Sequence, residues 1–373
     1  MLPWSETFIK EQMLALRRWR GVLIGMRQLH QVSLEDLELC LLRPEKPTFA
    51  NRLQWKLNRS LGTVPRSTIR HLRRERPSLL HVHFGVEATA AWPIARALDV
   101  PMLITLHGYD INISRDSWEA GNRGQAMRNY PARLSEFANH PRVSFIAVSE
   151  AIRSRAISFG IPEGKVEVRY IGVDISKFAP GGRPLIERER RVLFVGRLVE
   201  KKGCEFLLRA FANVQEAVPN ASLVIVGDGP LRDPLQSLAN ELKIRVQFRG
   251  ALSSADVSRE LHLTKVFCLP SVTAADGDAE GFGIVLLEAQ ASGVPVVTSA
   301  LGGASEGIQE GITGLAFRER DVNALSSQLI ALLSNDAVAG SFSIEGPKFA
   351  AEKFDLRQCT EKLEALYDAT VGL

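Results

Sequence analysis

A chain of 373 residues is too long for one typical core and suits two domains. With 45% hydrophobic and 24% charged residues it has the composition of a globular protein, not of a disordered or fibrous one. The net charge of +4 is unevenly spread: residues 1–76 hold 15 Lys or Arg against 7 Asp or Glu, so the remaining 297 residues carry −4.

The chain opens on SETFIKEQMLALRRWR, for which the spacing predicts an amphipathic helix. Phe8, Ile9, Met13, Leu16 and Trp19 share one arc, Lys10, Arg17 and Arg18 lie opposite, and Arg20 sits at the edge. More basic side chains follow at Arg52, Lys56, Arg59, Arg66, Arg70, Arg73, Arg74 and Arg76. Two readings fit: a surface that docks on anionic lipid, or a core-facing helix with a solvated basic back. Nucleic acid is disfavoured, because no recognition motif or aromatic stacking platform accompanies the charge. No apolar run reaches a membrane span, and no signal peptide is visible. The four scattered cysteines, Cys40, Cys204, Cys268 and Cys359, fit a reducing compartment and argue against zinc. A cytoplasmic protein is expected, with peripheral contact to the inner face of the plasma membrane as a variant.

Residues 21–25 suggest a strand, and SLLHVHFG (78–85) predicts another, followed by a helix over 88–99. PMLITLHGYD (101–110) reads as a strand running into a polar loop. A strand at 143–150, a helix over AIRSRAISFG and a strand at 166–174 complete the first half. The stretch 176–191 is rich in Gly, Pro and charge and is the best linker candidate. It separates an N-terminal domain (1–180) from a second one (181–350), with 351–373 as a closing segment.

The second half alternates strand and helix more clearly. Strands are predicted at 191–197, 221–229, 245–250, 265–271, 294–299 and 314–317, and helices at 204–218, 231–242 and 322–334. Such alternation implies a doubly wound parallel α/β sheet, whose ligands bind beyond the carboxyl ends of its strands.

Chemistry-bearing residues fall at those ends. Glu280 and Glu288 frame EGFGIVLLEAQASGVPVV, a Gly-Phe-Gly turn leading into an apolar helix. One carboxylate is expected in the loop and the other about two turns along, with unpartnered helix N–H groups between them where an anion can sit. The helix dipole alone also favours Glu near such a start. Arg197 and Lys202, in GRLVEKKG after the first strand of this half, suit a departing diphosphate, although loop cations are ordinarily just solvated. His107 ends an apolar strand. It is placed to donate to a sugar hydroxyl, with Asp110 setting its orientation or tautomer, or else to cap the strand end. His81 and His83 share a strand face. They lack further metal ligands nearby and read as structural or pocket-lining. VGDGP (226–230) lacks the third glycine of a dinucleotide fingerprint, which excludes a nicotinamide-dependent dehydrogenase.

Together, GRLVEKKG, VGDGP, FRG, LPS and EGFGIVLLEAQASGVPVV resemble glycosyltransferase family 4. SETFIKEQ, HVHFG and LHGYD resemble its branch for bacterial exopolysaccharide and lipopolysaccharide assembly, the colanic-acid type. The resemblance implies a GT-B fold, two Rossmann-like doubly wound parallel-sheet domains facing a central cleft, and a retaining, nucleotide-sugar-dependent reaction. It implies that Glu288 binds the ribose hydroxyls and that Glu280 contacts the transferred sugar. Gly281, Phe282, Gly283 and Ile284 would hold sugar and phosphates through backbone N–H groups, and Arg197 and Lys202 would bind the diphosphate. Arg249 and Leu252 would border the base, and His107 would face the reacting sugar. It also implies a C-terminal helix, over 354–370, crossing back to the first domain, and no catalytic metal or other cofactor.

The chain departs from the family pattern twice. Members begin with a strand before the SETF helix, and Met1–Ser5 leaves no room for it, so the chain is either truncated or divergent there. The segment TAADGD (273–278) is an insertion before Glu280, whose acids either contact sugar hydroxyls or cap a loop. The expected function is sugar transfer from GDP-mannose or a UDP-hexose to a glycan, such as a lipid-linked oligosaccharide. A nucleotide-sugar epimerase on the same fold is the enzymatic alternative. A non-catalytic nucleotide-sugar-binding or membrane-docking protein is the other.

Overall fold

The computed structural model describes residues 6–25, 32–42 and 63–373. Met1–Ser5, Arg52, Lys56 and Arg59 lie outside the described residues. The chain divides into two compact units, Met1–Ile171 with Arg357–Leu373, and Gly172–Leu356. The stretch 176–191 belongs to the second unit. There Arg188 is buried, and its guanidinium donates to the carbonyls of Thr264 and Ser292 at 3.3 Å each. This segment is packed into the unit and is no free linker.

The first unit starts with α1 (Thr7–Ala15) and a parallel pair, β1 (Val22–Gly25) and β2 (Glu38–Leu41). After α2 (Arg66–Arg74), four strands form a parallel sheet in sequential order: β3 (Leu80–His83), β4 (Met102–Leu106), β5 (Val143–Ala147) and β6 (Val166–Val168). Helix α3 (Gly85–Leu98) connects β3 to β4. Three helices follow β4: α4 (Tyr109–Asn112), α5 (Arg115–Glu119) and α6 (Tyr130–Asn139). Helix α7 (Glu150–Ser158), capped by the Ser149 hydroxyl on the Ile152 N–H, precedes β6. All five residues of β4 are buried, as a strand covered on both faces requires.

The opening helix is shorter than its pattern predicts and ends at Ala15. The buried Glu364 carboxylate accepts the backbone N–H groups of Arg17, Arg18 and Trp19 at 2.9, 2.8 and 3.0 Å. In a longer helix those N–H groups would serve carbonyls four residues back. Trp19 then donates through Nε1 to Asp368 at 2.9 Å and packs edge-on against Tyr367. The nearby charges are paired, Arg18 with Asp368 and Arg20 with Glu38 and Glu75. Ile9 packs with Val32 and Leu34, so α1 turns its apolar side to a core. Arg17, Arg18 and Arg20 stay exposed after α1, and a further exposed basic face lies on α2. That helix buries Ile69 and Leu72 and exposes Arg66, Arg70 and Arg74. Glu364 and Tyr367 belong to α15 (Leu356–Val371), which packs Leu363, Leu366 and Tyr367 on Leu103 and Ile146 of this unit.

The second unit is one six-stranded sheet in the order β12-β11-β10-β7-β8-β9, with every pair parallel. Its strands are β7 (Arg191–Val195), β8 (Ser222–Val226), β9 (Val246–Gly250), β10 (Val266–Leu269), β11 (Val296–Ser299) and β12 (Gly314–Phe317). The connecting helices are α8 (Cys204–Ala217), α9 (Arg232–Glu241), α10 (Ser254–His262), α11 (Ile284–Ala291) and α12 (Gly303–Glu306). Helices α13 (Val322–Ser334) and α14 (Asp336–Phe354) follow. The chain leaves β7 toward β8 on one side and leaves β10 toward β11 on the other. The loops after β7 and β10 therefore flank the topological switch point, where open α/β sheets take their ligands.

Candidate functional site

Two ion pairs join those two loops. Lys201 Nζ lies 3.0 Å from Asp278 Oδ1, and the next lysine, Lys202, pairs with Glu280. Lys201, Asp278 and Glu280 are buried, and Lys202 is nearly so. The backbone adds to the junction, with Val272 N–H donating to the Lys201 carbonyl at 2.8 Å and Ala275 N–H to the Glu200 carboxylate at 3.0 Å. Ser271 Oγ donates to Glu280 at 3.3 Å. Burial pushes the Glu280 carboxyl up, but the combined pull of Lys202, Lys201 and Ser271 leaves it below its ordinary value. Glu280 is thus an anion held by a cation at the switch point. Arg197, on the same loop as Lys202, is exposed, and its guanidinium makes no hydrogen bond or ion pair among the described residues.

The acids of TAADGD hold the loop. Asp278 is the partner of Lys201, and Asp276 Oδ1 accepts the Asp278 N–H at 3.0 Å. Beyond Glu280 the chain turns at Gly283, with φ at +80°, where a Cβ would meet Leu269 and Leu286 side chains at 3.2 Å. Helix α11 starts at Ile284. Glu288 therefore lies about one turn into the helix rather than two, because residues 280–283 are loop; it is half-buried. Gly281 and Phe282 are buried, and the Phe282 ring packs against Phe354 with centroids 5.4 Å apart. The VGDGP turn has a packing role. At Gly227, with φ at +134°, a Cβ would sit 1.9 Å from the Gly196 carbonyl oxygen, so only glycine lets the loops after β7 and β8 touch.

The pair expected to border the base lies at the end of β9. Arg249 is bonded to Glu260 of α10 at 3.0 Å, and Glu260 also holds Arg191 at 3.0 Å. The guanidinium is half exposed, so it is tethered within its unit while keeping a solvent face. Leu252 follows on the loop after β9 and is half-buried.

His107 stands in the first unit, at the carboxyl end of β4. Its imidazole is not oriented by Asp110, contrary to expectation. The buried Asp110 carboxylate accepts backbone N–H groups instead, from Gly85 at 2.7 Å and from His107 and Gly108 at 3.0 Å each. Among the described residues no hydrogen bond joins the His107 ring to that carboxylate. Asp110 thus fixes the loop after β4, and burial raises its pKa against the pull of those donors. The ring of His107 meets His83 instead, Nε2 to Nδ1 at 3.1 Å. Phe84 and Phe8 flank it, with centroids at 4.5 and 5.1 Å. His81 is closed by Tyr367 Oη and Thr105 Oγ1, both at 2.7 Å. Among the described residues no group of three His, Cys, Asp or Glu side chains is placed to hold a metal ion, and no helix is long and apolar enough to cross a membrane. The four cysteines are buried free thiols.

Comparison with known proteins gives this arrangement a family. Residues 180–349 match the model for glycosyl transferases group 1, and residues 30–177 match the model for glycosyltransferase family 4. The chain belongs to glycosyltransferase family 4. It is 33% identical over 236 residues to a GDP-mannose-dependent alpha-(1-6)-phosphatidylinositol monomannoside mannosyltransferase of Mycolicibacterium smegmatis, covering 59% of this chain and 60% of the relative. It is 31% identical over 260 residues to the amylovoran biosynthesis glycosyltransferase AmsK of Erwinia amylovora, covering 69% and 61%. The chain thus spans about three fifths of the length of both. Anabaena HepE, solved with UDP and glucose, superposes with a TM-score of 0.78 at 18% identity over 98% of this chain and 95% of its own. The sucrose-phosphate synthase of Thermosynechococcus elongatus does so with 0.78 at 19%, over 98% and 93%. These likenesses establish the GT-B fold, two α/β units each built on a parallel sheet.

For this family 4 chain, sequence reasoning placed Glu280 and Lys202 at the right strand ends but did not pair them. It overlooked Lys201, Ser271, the pairing of Asp278 with Lys201 and the contact of His83 with His107. A signal was present, since KK on one switch-point loop faces D-x-E on the other, and buried charges of opposite sign on facing loops must pair.

Proposed function

We propose that this chain transfers a hexose from a nucleoside-diphosphate sugar to a glycan acceptor. The observation that carries the reading is the charged junction at the switch point. There the Lys202–Glu280 pair and exposed Arg197 lie on the loops after β7 and β10, in the segment that matches glycosyl transferases group 1. In this reading the diphosphate takes Lys202 and Arg197, the transferred sugar takes Glu280 and the N–H groups of residues 281–284, and the ribose takes Glu288. Arg249 and Leu252 border the base. His107 donates to a sugar hydroxyl. The acceptor hydroxyl attacks the anomeric carbon on the face the diphosphate leaves. The carbon–phosphate oxygen bond breaks as the new glycosidic bond forms, and the departing phosphate takes the acceptor's proton, so configuration is retained. The two cations supply the charge for departure, and no resident metal is invoked.

GDP-mannose is the first donor to test, because several relatives at 33–38% identity are described as GDP-mannose-dependent. The acceptor is a lipid-linked glycan in bacterial surface-polysaccharide assembly, in line with the amylovoran relative. Arg66, Arg70 and Arg74 of α2 present a cationic face suited to the anionic lipid around such an acceptor.

The test is calorimetric titration with GDP, UDP, GDP-mannose and UDP-glucose, followed by transfer assays on lipid-linked acceptors. Selective binding of one nucleotide, with transfer abolished and nucleotide affinity kept in Glu280→Gln, supports the reading. Failure of every nucleotide to bind refutes it. Turnover of the donor into an isomer without acceptor replaces it with an epimerase.

A further inference from the structure

What fixes the ring of His107 is written in the strand beside it. Three imidazoles stack at the carboxyl ends of β3 and β4, His81 on His83 with centroids 4.5 Å apart, and His83 on His107 at 5.3 Å and 28°. The two nitrogens of His81 are engaged by Tyr367 and Thr105. His83 Nδ1 and His107 Nε2 are engaged by each other at 3.1 Å. That leaves His83 Nε2 and His107 Nδ1, which make no hydrogen bond among the described residues.

Burial, reinforced at His81 and His107 by the neighbouring imidazoles, holds all three rings below their ordinary pKa, His83 to about 4. At neutral pH the pair is therefore two neutral rings. A neutral imidazole carries one N–H and one bare nitrogen. The His83–His107 bond holds a single proton, and its position dictates what His107 offers outward. With the proton on His83 Nδ1, His107 Nε2 is the acceptor and His107 Nδ1 must carry an N–H.

The backbone prepares this contact. Phe84, directly after His83, has φ at +71°, a conformation unfavourable for a non-glycine residue, and its N–H donates to the Thr105 carbonyl at 2.8 Å. The turn brings the Phe84 ring onto His107, against which Phe8 also packs. Strain of this kind persists only where surrounding contacts over-determine it.

We propose that His83 is a positioning residue, donating from Nδ1–H to His107 Nε2 so that His107 is a neutral ring whose Nδ1–H is left to donate to a sugar hydroxyl. The proposal rests on the reading of His107 given above. It adds the residue that selects the tautomer and the atom that touches the ligand.

Nitrogen-15 NMR of the full chain labelled in its histidine rings tests it, with His107→Gln assigning the signals. The parent should show His107 protonated on Nδ1 and bare on Nε2. His83→Phe keeps a stacked ring but removes the donor. It should lose that tautomer preference and lower kcat by about 10- to 100-fold, with donor KM held within about 3-fold. His83→Asn, whose amide N–H sits near the lost Nδ1, should recover most of the rate. A His107 proton on Nε2 in the parent overturns the proposal whether or not the variants fold. So does parental kcat in His83→Phe. If the parent shows the Nδ1–H tautomer but His107→Gln transfers sugar at the parental rate, the ligand-facing half is overturned, and with it the role of His107, not the pairing.

Discussion

Replacing Lys202 by Met isolates the junction between the switch-point loops. The substitution keeps the length of the side chain and removes its charge. Glu280 then stays 8% exposed with only Ser271 at 3.3 Å and the more distant Lys201 to hold its charge. Removing one partner of a buried pair leaves an uncompensated charge and costs about 3–5 kcal/mol. In a unit of this size that corresponds to a loss of roughly 10 °C in Tm. The pH dependence separates this cause from lost packing. In the parent, Glu280 has a folded pKa below its unfolded value of 4.5, so its contribution is complete above 4.5 and fades as pH falls through the folded value. In Lys202→Met, burial becomes the dominant influence and raises the folded pKa above the unfolded one. The penalty is then full at high pH and shrinks as acid protonates the carboxyl. Thermal melts of parent and variant from about pH 8 to about pH 5 should converge on acidification. A constant gap across that range would mean that Glu280 is not the buried anion described here.

Three further outcomes follow from the same geometry. Glu288→Ala should weaken nucleotide binding by about 10- to 100-fold in calorimetry, the worth of one or two charge-assisted hydrogen bonds. Glu364→Ala strips the acceptor from three backbone N–H groups and should destabilise the first unit by about 3 kcal/mol or more. Hydrogen exchange should then show residues 17–19 and α15 losing protection together; unchanged protection would contradict the tie. Gly227→Ala puts a Cβ 1.9 Å from a backbone oxygen and should abolish soluble expression or lower Tm sharply, whereas Gly182→Ala, with nothing near its Cβ, should not.

The second unit was legible because most of its strands are short apolar runs ended by Gly, Pro or charge. GLAF and VNALSSQLIALLS were placed to the residue as β12 and α13. Helix α10 escaped because only Val257 and Leu261 of its four buried residues are apolar, Ser258 and Glu260 being polar, which leaves a weak apolar pattern. Helix α14 escaped because Gly340, Gly346 and Pro347 speak against a helix locally, and packing of Phe342 and Phe349 overrides them. The first helix was read too long because the pattern through Trp19 is truly amphipathic. What stops it is a carboxylate more than 340 positions away, which no local window contains. The site divides the same way. Arg197, Lys202, Glu280 and His107 announce themselves at strand ends. Lys201–Asp278 and His83–His107 are pairs made across a sheet, and they become visible only once strand order is known.

The free site is self-neutralised, and this has a consequence for donor binding. Lys202 cannot serve a diphosphate and remain the full partner of Glu280. If the phosphates take the ammonium, Glu280 loses its nearest cation inside a buried setting, and its pKa must rise. A sugar hydroxyl compensates for part of that loss, but a nucleoside diphosphate without sugar does not. Binding of the diphosphate alone should therefore take up a proton when the pH lies between the depressed value of the free protein and the raised value of the complex. Calorimetry in buffers of different ionisation enthalpy counts that proton. The sugar conjugate should take up less than the bare diphosphate, and Glu280→Gln should reduce both to what the phosphates themselves exchange. Equal proton uptake in parent and Glu280→Gln would mean that Lys202 keeps its carboxylate when ligand arrives, and that the phosphates are held by Arg197 and the helix N–H groups without it.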